Sequence, residues 1–238
     1  MPKSVYLNID WDYFVREKLE WDWGHSEGSS IFSDVMWHAR AIGFAMQGVD
    51  LDVETDPIRH SFPKPGAFAK FLTEDMGMVF DPQAGYDFVV GDSHGYAPQF
   101  YSGQDMVINF DAHHDCGYHP RSQLREWVKH GNTEAGSWLW RLLNKYPKLQ
   151  AQVMYPRWKG WADYEGRDFT DMLEDNMWDR LTFDVVEDNM DWSEYHGAHV
   201  TGVYIARSGA TDFFDIVTTQ NVDNHVGRFQ GRVVGLPN

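Results

Sequence analysis

A single cysteine, Cys116, stands in a chain of 238 residues, which excludes an intramolecular disulfide framework and a four-cysteine zinc site. Positive charge is also scarce. Twenty lysines and arginines (20) face 36 aspartates and glutamates, for a formal charge of −16. So acidic a surface repels phosphate backbones and anionic lipid, so neither nucleic acid nor membrane is an expected partner. It attracts cations and cationic substrates instead. No stretch approaches ~18 continuous apolar residues, and the N-terminal MPKSVYLNIDWDYF has no apolar signal region. A soluble, cytoplasmic protein is the expectation. No internal repeat and no Pro-, Gly- or Ser-rich linker interrupts the chain, so residues 1–238 read as one domain. With 42% hydrophobic residues, that length can bury a sizeable core.

What is present is a set of short apolar runs that end in polar residues. Val5–Ile9 leads into Asp10-Trp11-Asp12, and Tyr86–Val90 into Gly91-Asp92-Ser93-His94. Met106–Phe110 leads into Asp111-Ala112-His113-His114-Asp115, and Gly202–Ala206 into Arg207-Ser208. Runs without alternation predict strands covered on both faces, hence a parallel sheet with helices on either side. The spacing of Ile31, Val35, Ala39 and Ile42 predicts a helix over 31–46. Two more are predicted over 66–76, after Pro63-Lys64-Pro65, and over 137–143, after Gly131-Asn132. Strands alternating with helices define an α/β fold with a mainly parallel central sheet. The acidic, tryptophan-rich segment Gly160–Trp192 fits neither pattern and reads as a lid or an insertion.

In open α/β sheets, ligands gather at the carboxyl ends of the strands. Three of the four runs carry carboxylates or imidazoles there. The densest, Asp111 to Asp115, supplies two of each within five residues. Asp10 and Asp12, two apart, share a face if their strand continues. His94 closes the second run. Pooled, the candidate metal ligands are Asp10, Asp12, His94, Asp111, His113 and Asp115. Four carboxylates crowded without a counter-ion repel one another and lose hydration, a cost that divalent cations offset. An oxygen-rich set with few imidazoles suits Mn²⁺, with Fe²⁺, Co²⁺ or Zn²⁺ as alternatives. Taken singly, a strand-end aspartate is commonly just a turn or helix cap, and it is the clustering that points to metal. Cys116 reads as packed, since no thiolate–imidazole motif accompanies it.

The string Asp111-Ala112-His113-His114-Asp115 resembles, letter for letter, the Asp-Ala-His-x-Asp metal motif of the ureohydrolase superfamily, which includes arginase and agmatinase. Gly91-Asp92-Ser93-His94 is similar to that family's Gly-Gly-Asp-His motif, with the histidine displaced by one. Asn8-Ile9-Asp10-Trp11-Asp12 is similar to its Ser-x-Asp-x-Asp motif. This last motif comes last in arginases and first here, so the order looks circularly permuted. The longer strings NIDWDYF and VVGDSHGYAP look closest to peptide arginases, which convert arginine to ornithine in ribosomally made peptides. A second Asp-x-Asp, Asp50-Leu51-Asp52, mimics Asp10/Asp12 but follows no strand-like run.

The resemblance implies an arginase-like three-layer α/β/α sandwich holding two Mn²⁺ on the six ligands. It implies that Asp115 also partners the attacking hydroxide, that His130 shuttles protons and that Glu134 pairs with a guanidinium. The plain alternative for His130-Gly131-Asn132-Thr133-Glu134 is a helix start with Asn132 as cap and Glu134 solvated. His114 and His119 match no motif position, while Arg207 and Ser208 are placed to line a cleft. The implied reaction is hydrolysis of peptidyl arginine to ornithine and urea in an arginine-containing precursor peptide. Free arginine or agmatine ureohydrolysis, and deacetylase-like amide hydrolysis, are the alternatives. The stretch Gly117–Ser122 does not reproduce the pattern by which arginases hold a free amino acid, which favours the peptide.

Overall fold

The computed structural model describes residues 3–14, 39, 42–49, 67–80, 87–91, 93–131, 135–157, 173–206 and 232–233. Eight strands form its frame: β1 (Ser4–Asp10), β2 (Val79–Phe80), β3 (Asp87–Gly91), β4 (Met106–Phe110), β5 (Gln150–Tyr155), β6 (Leu181–Val185), β7 (His199–Ala206) and β8 (Arg232–Val233). They lie in the order β6-β5-β4-β1-β7-β3-β8, with β2 also paired to β7. Every pairing among them is parallel. The reason is visible in β4, where all five residues of Met-Val-Ile-Asn-Phe are buried. Such a strand is covered on both faces and belongs inside a sandwich.

Alternation along β1 separates the two faces. Val5, Leu7 and Ile9 pack with Phe68, Leu72 and Met76, which lie on α1 (Ala67–Lys70), its π-helical continuation Phe71–Asp75, and the residue after it. Tyr6 faces the other way, into a core with Trp138, Leu139 and Leu142. These belong to α3 (Trp138–Lys145), preceded by α2 (Arg121–Lys129) and followed by α4 (Asp175–Trp178). Arg180 closes the end of α3 by donating from its guanidinium to the carbonyls of Leu143, Tyr146 and Leu149 at 3.0–3.1 Å. The Leu143 carbonyl lies in the last turn, where the helix offers it no partner, and the other two lie just beyond the helix. The arrangement is consistent with a three-layer α/β fold. No helix among the described residues is long and apolar enough to cross a membrane.

All four strands read from apolar runs are present as β1, β3, β4 and β7. The helix expected over 66–76 becomes α1 and its π-helical turn, and the one over 137–143 becomes α3. Of the helix expected over 31–46, residues 39 and 42–46 are helical and the rest lies outside the described residues. The lid or insertion expected over Gly160–Trp192 is corrected within its described part, from 173 onward. There Leu181–Val185 is β6 of the sheet, preceded by α4. β5 was not expected because Gln150 and Gln152 break its apolar run. Gln152 is nevertheless buried, donating to Asp184 at 2.5 Å and accepting from the Tyr195 hydroxyl. Helix α2 escaped notice because Leu124 is its one buried residue.

The registers level the strand ends. Asn8 faces Asn109 and Ile9 faces Phe110, while Asp10 and Gly91 both face Ala206. Residues leaving β1, β3 and β4 therefore emerge at one edge. Ile108, fully buried in β4 between β1 and β5, tests this frame. Ile108→Ala is expected to cost about 2–5 kcal/mol and Ile108→Val about 0.5–1.5 kcal/mol in urea-denaturation experiments.

Candidate metal centre

At that edge β1 does not continue. It ends at Asp10, and a single 3-10 turn, Trp11–Phe14, carries Asp12. The expectation that Asp10 and Asp12 share a strand face is thereby corrected: the turn aims them at different partners. The Asp12 amide donates to Oδ1 of Asp10 at 3.2 Å, and Oδ1 of Asp12 accepts from the Ala112 amide at 3.3 Å. His94 opens the 3-10 turn His94–Gln99 after β3, where Oγ of Ser93 caps by accepting from the Gly95 amide at 3.1 Å. Asp111 directly follows β4, and the loop beyond it brings in His113 and Asp115.

The result is two overlapping groups able to hold a metal ion. Asp10, His94, Asp111 and Asp115 converge in one, and Asp12, Asp111 and His113 in the other, with Asp111 common to both. Nδ1 of His94 stands 3.2 Å from Asp10, 3.4 Å from Asp111 and 3.0 Å from Asp115. Yet neither ring nitrogen of this fully buried imidazole has a hydrogen-bond partner. Oδ2 of Asp12 is likewise without one, although Nδ1 of His113 lies 2.8 Å away. Close donor atoms that are not aligned as hydrogen bonds fit convergence on a cation better than pairing with each other.

Electrostatics agree. Burial, and then the charges of Asp12 and Asp111, push the Asp10 carboxyl well above its ordinary range. Burial and the charge of Asp111 do the same to Asp115. Burial alone would raise Asp111 too, but the imidazoles of His113 and His94 outweigh it and hold that carboxyl far below the usual range. For both imidazoles burial works against protonation, and the facing carboxylates overcome it: Asp10, Asp111 and Asp115 for His94, Asp12 and Asp111 for His113. Only with all four carboxylates ionised, the form that binds metal, does the cluster carry more negative charge than two imidazoles can offset. A divalent cation would balance it.

A second set of contacts fixes the donor atoms. Asp111 accepts from the His113 amide at 2.7 Å on Oδ1 and from Nδ2 of Asn109 at 2.9 Å on Oδ2. Oδ2 of Asp115 accepts from the indole of Trp138 at 2.5 Å. The same indole stacks against His94 at 4.6 Å, and Tyr204 lies beyond that ring at 6.1 Å. Asp115 adopts a left-handed backbone, φ 51°, tolerable for aspartate but rare elsewhere. Its carbonyl accepts from the Leu139 amide at 3.1 Å, tying the loop to α3.

The structure thus brings together all six residues singled out as metal ligands. Asp50 and Asp52, the alternative pair, lie outside the described residues, as do Asn132, Glu134, Arg207 and Ser208. His130 is not brought to the cluster: it sits exposed at the end of α2 with its ring 3.1 Å from Glu126. His114 is buried, its Nδ1 accepting from the Cys116 amide at 2.9 Å, and His119 packs edge-on against Trp127. Cys116 is packed as expected, its thiol raised by burial and by the charges of Asp115 and Asp111. Two contributors went unnoticed in the sequence. Asn109 was detectable, since it stands two residues before Asp111 at the end of the same apolar run. Trp138 was not, because 23 residues separate it from Asp115.

Trp138→Phe keeps the ring and removes the donor. It is expected to weaken divalent-cation binding about 10–100-fold, read by calorimetric titration with Mn²⁺ as the probe. Loading unchanged from wild type would show that the indole does not position Asp115. Against known proteins, no family model, curated protein or solved structure matches the chain.

Proposed function

We propose that the protein is a dinuclear manganese hydrolase of the ureohydrolase type that converts peptidyl arginine to ornithine and urea. The observation that carries this reading is the sharing of Asp111 between two ligand groups. A single ion would need one such group, whereas a common carboxylate between two groups suits a pair. Asp10, His94, Asp111 and Asp115 would hold one Mn²⁺, and Asp12, Asp111 and His113 the other. When bound, such a pair would supply a water of lowered pKa at neutral pH and positive charge beside the oxygen that attacks the guanidinium carbon.

The chain's own residues supply the rest. The Trp138 indole fixes one oxygen of Asp115, so that carboxylate orients the attacking water. Asn109 and the His113 amide fix Asp111, which keeps the two groups in register. The chain's formal charge of −16 favours the approach of a guanidinium over an anion. The roles of His130 as proton shuttle and Glu134 as guanidinium partner come from the sequence resemblance alone.

Three substrates decide the matter: free arginine, agmatine and an arginine-containing peptide, each incubated with protein and Mn²⁺. Urea release and loss of CN₂H₂ per converted arginine, read by mass spectrometry, are expected for the peptide. Asp111→Ala and His113→Ala should each lower that rate at least about a hundredfold, the scale of removing one electrostatic contact from a hydrolytic centre. Acetate from acetyl-lysine peptides without urea would move the protein to the deacetylase-like class. Efficient hydrolysis of free arginine with peptides untouched would overturn the substrate.

A further inference from the structure

Beside the metal centre lies a cleft of about 1100 Å³ that the proposed chemistry does not itself use. It is built on residues that follow the ends of β1, β5 and β6, at the same sheet edge as the ligands. The turn Trp11–Phe14 joins the two directly: Asp12 belongs to the cluster, and Tyr13 and Phe14 line the cleft. On the β5 side, the cleft begins at Pro156, and Met154 just before it accepts from the Asp111 amide at 3.1 Å.

The wall is aromatic. Tyr13 and Phe14 meet edge-to-face at 5.1 Å, and Phe71 and Trp192 at 5.3 Å. The rim is acidic. Glu74 is paired with Lys70, and Asp188 with Arg157. Asp75 and Glu187, both exposed, form no ion pair with any other described residue. Aromatic faces beneath unpaired carboxylates suit a cation with an apolar stem, such as a lysine or arginine side chain. The volume exceeds the roughly 300–1,000 Å³ of a small-molecule pocket. A free amino acid would leave most of it empty, whereas an extended chain would fill it.

We infer that this cleft seats a basic segment of the polypeptide flanking the reacting residue, with Asp75, Glu187 and Trp192 selecting its positive side chains. That the seated chain is the substrate's own flank rests on the function proposed above; its chemistry rests on the cleft. The pairing between exposed charges is screened by salt, so binding should weaken as ionic strength rises.

The test uses a short fluorescein-labelled peptide that carries lysines and no arginine, so binding is read without turnover. Fluorescence anisotropy with the Mn²⁺-loaded protein should show saturable, salt-sensitive binding. The double variant Asp75→Asn/Glu187→Gln should weaken it about tenfold or more, and Trp192→Ala by a similar factor. Asp75 and Glu187 are exposed, so their variant should melt like wild type and any loss reads binding alone. A control peptide with glutamates in place of the lysines should not bind. Equal binding of both peptides, or lysine-peptide binding that the charge variant leaves unchanged, overturns the inference. The two proposals fail separately. Urea release from arginine peptides with no selective lysine-peptide binding refutes the cleft, and selective binding without urea release from any substrate refutes the reaction.

Discussion

Four carboxylates buried within reach of one another at the mouth of a sheet are the arrangement on which the rest of this structure depends. Desolvation and mutual repulsion both work against it, and they push Asp10 and Asp115 toward the neutral form. Two imidazoles relieve part of the strain, most visibly at Asp111, which lies between both of them. What remains is a deficit of positive charge in a place that water cannot fully compensate. A divalent cation suits that place for the same reason an exposed acidic patch would not need one.

Holding such a group together requires a frame that cannot relax. The centre of the sheet supplies it. β1 and β4 are paired in parallel along their lengths, and their buried side chains leave little room for either to slip. A slip by one residue would turn Asp10 and Asp111 to the opposite face. The loops at the edge are braced in turn. The Ser93 cap presents His94, Asp115 takes a left-handed backbone whose carbonyl is tied to α3, and α3 sets Trp138 against both His94 and Asp115. One indole thus serves packing, a hydrogen bond and ring orientation at once. On the other side of β1, the same short turn that delivers Asp12 also delivers two rings to the neighbouring cleft, so ligand and wall are positioned by one piece of backbone.

Much of this was legible before any coordinates. Strands covered on both faces have no choice but continuous apolar runs, so β1, β3, β4 and β7 announce themselves. The ligand cluster is legible for a related reason, since unpaired aspartates at the ends of such runs have few structural uses in that density. β5 and β6 were hidden by polar residues whose burial makes sense only once they meet: Gln152, Asp184 and Tyr195 satisfy one another across three separate segments. Helix α2 was hidden by the opposite circumstance, a mostly solvated face with little apolar signal.

The sequence by itself determined the α/β alternation, the parallel character of the sheet and the six candidate ligands, because each of these is a local consequence of burial or of charge density along the chain. Only the tertiary structure decided how the ligands divide. Strand order sets β1 beside β4, and β7 between β1 and β3; register levels their ends; and the turn after Asp10 sends Asp12 to His113 instead of His94. It also decided that Trp138 would serve Asp115 and that residues following β1, β5 and β6 would line one cleft. These are contacts between segments as far apart in the chain as Ser4 and His199, and their energy depends on distances that no local pattern encodes.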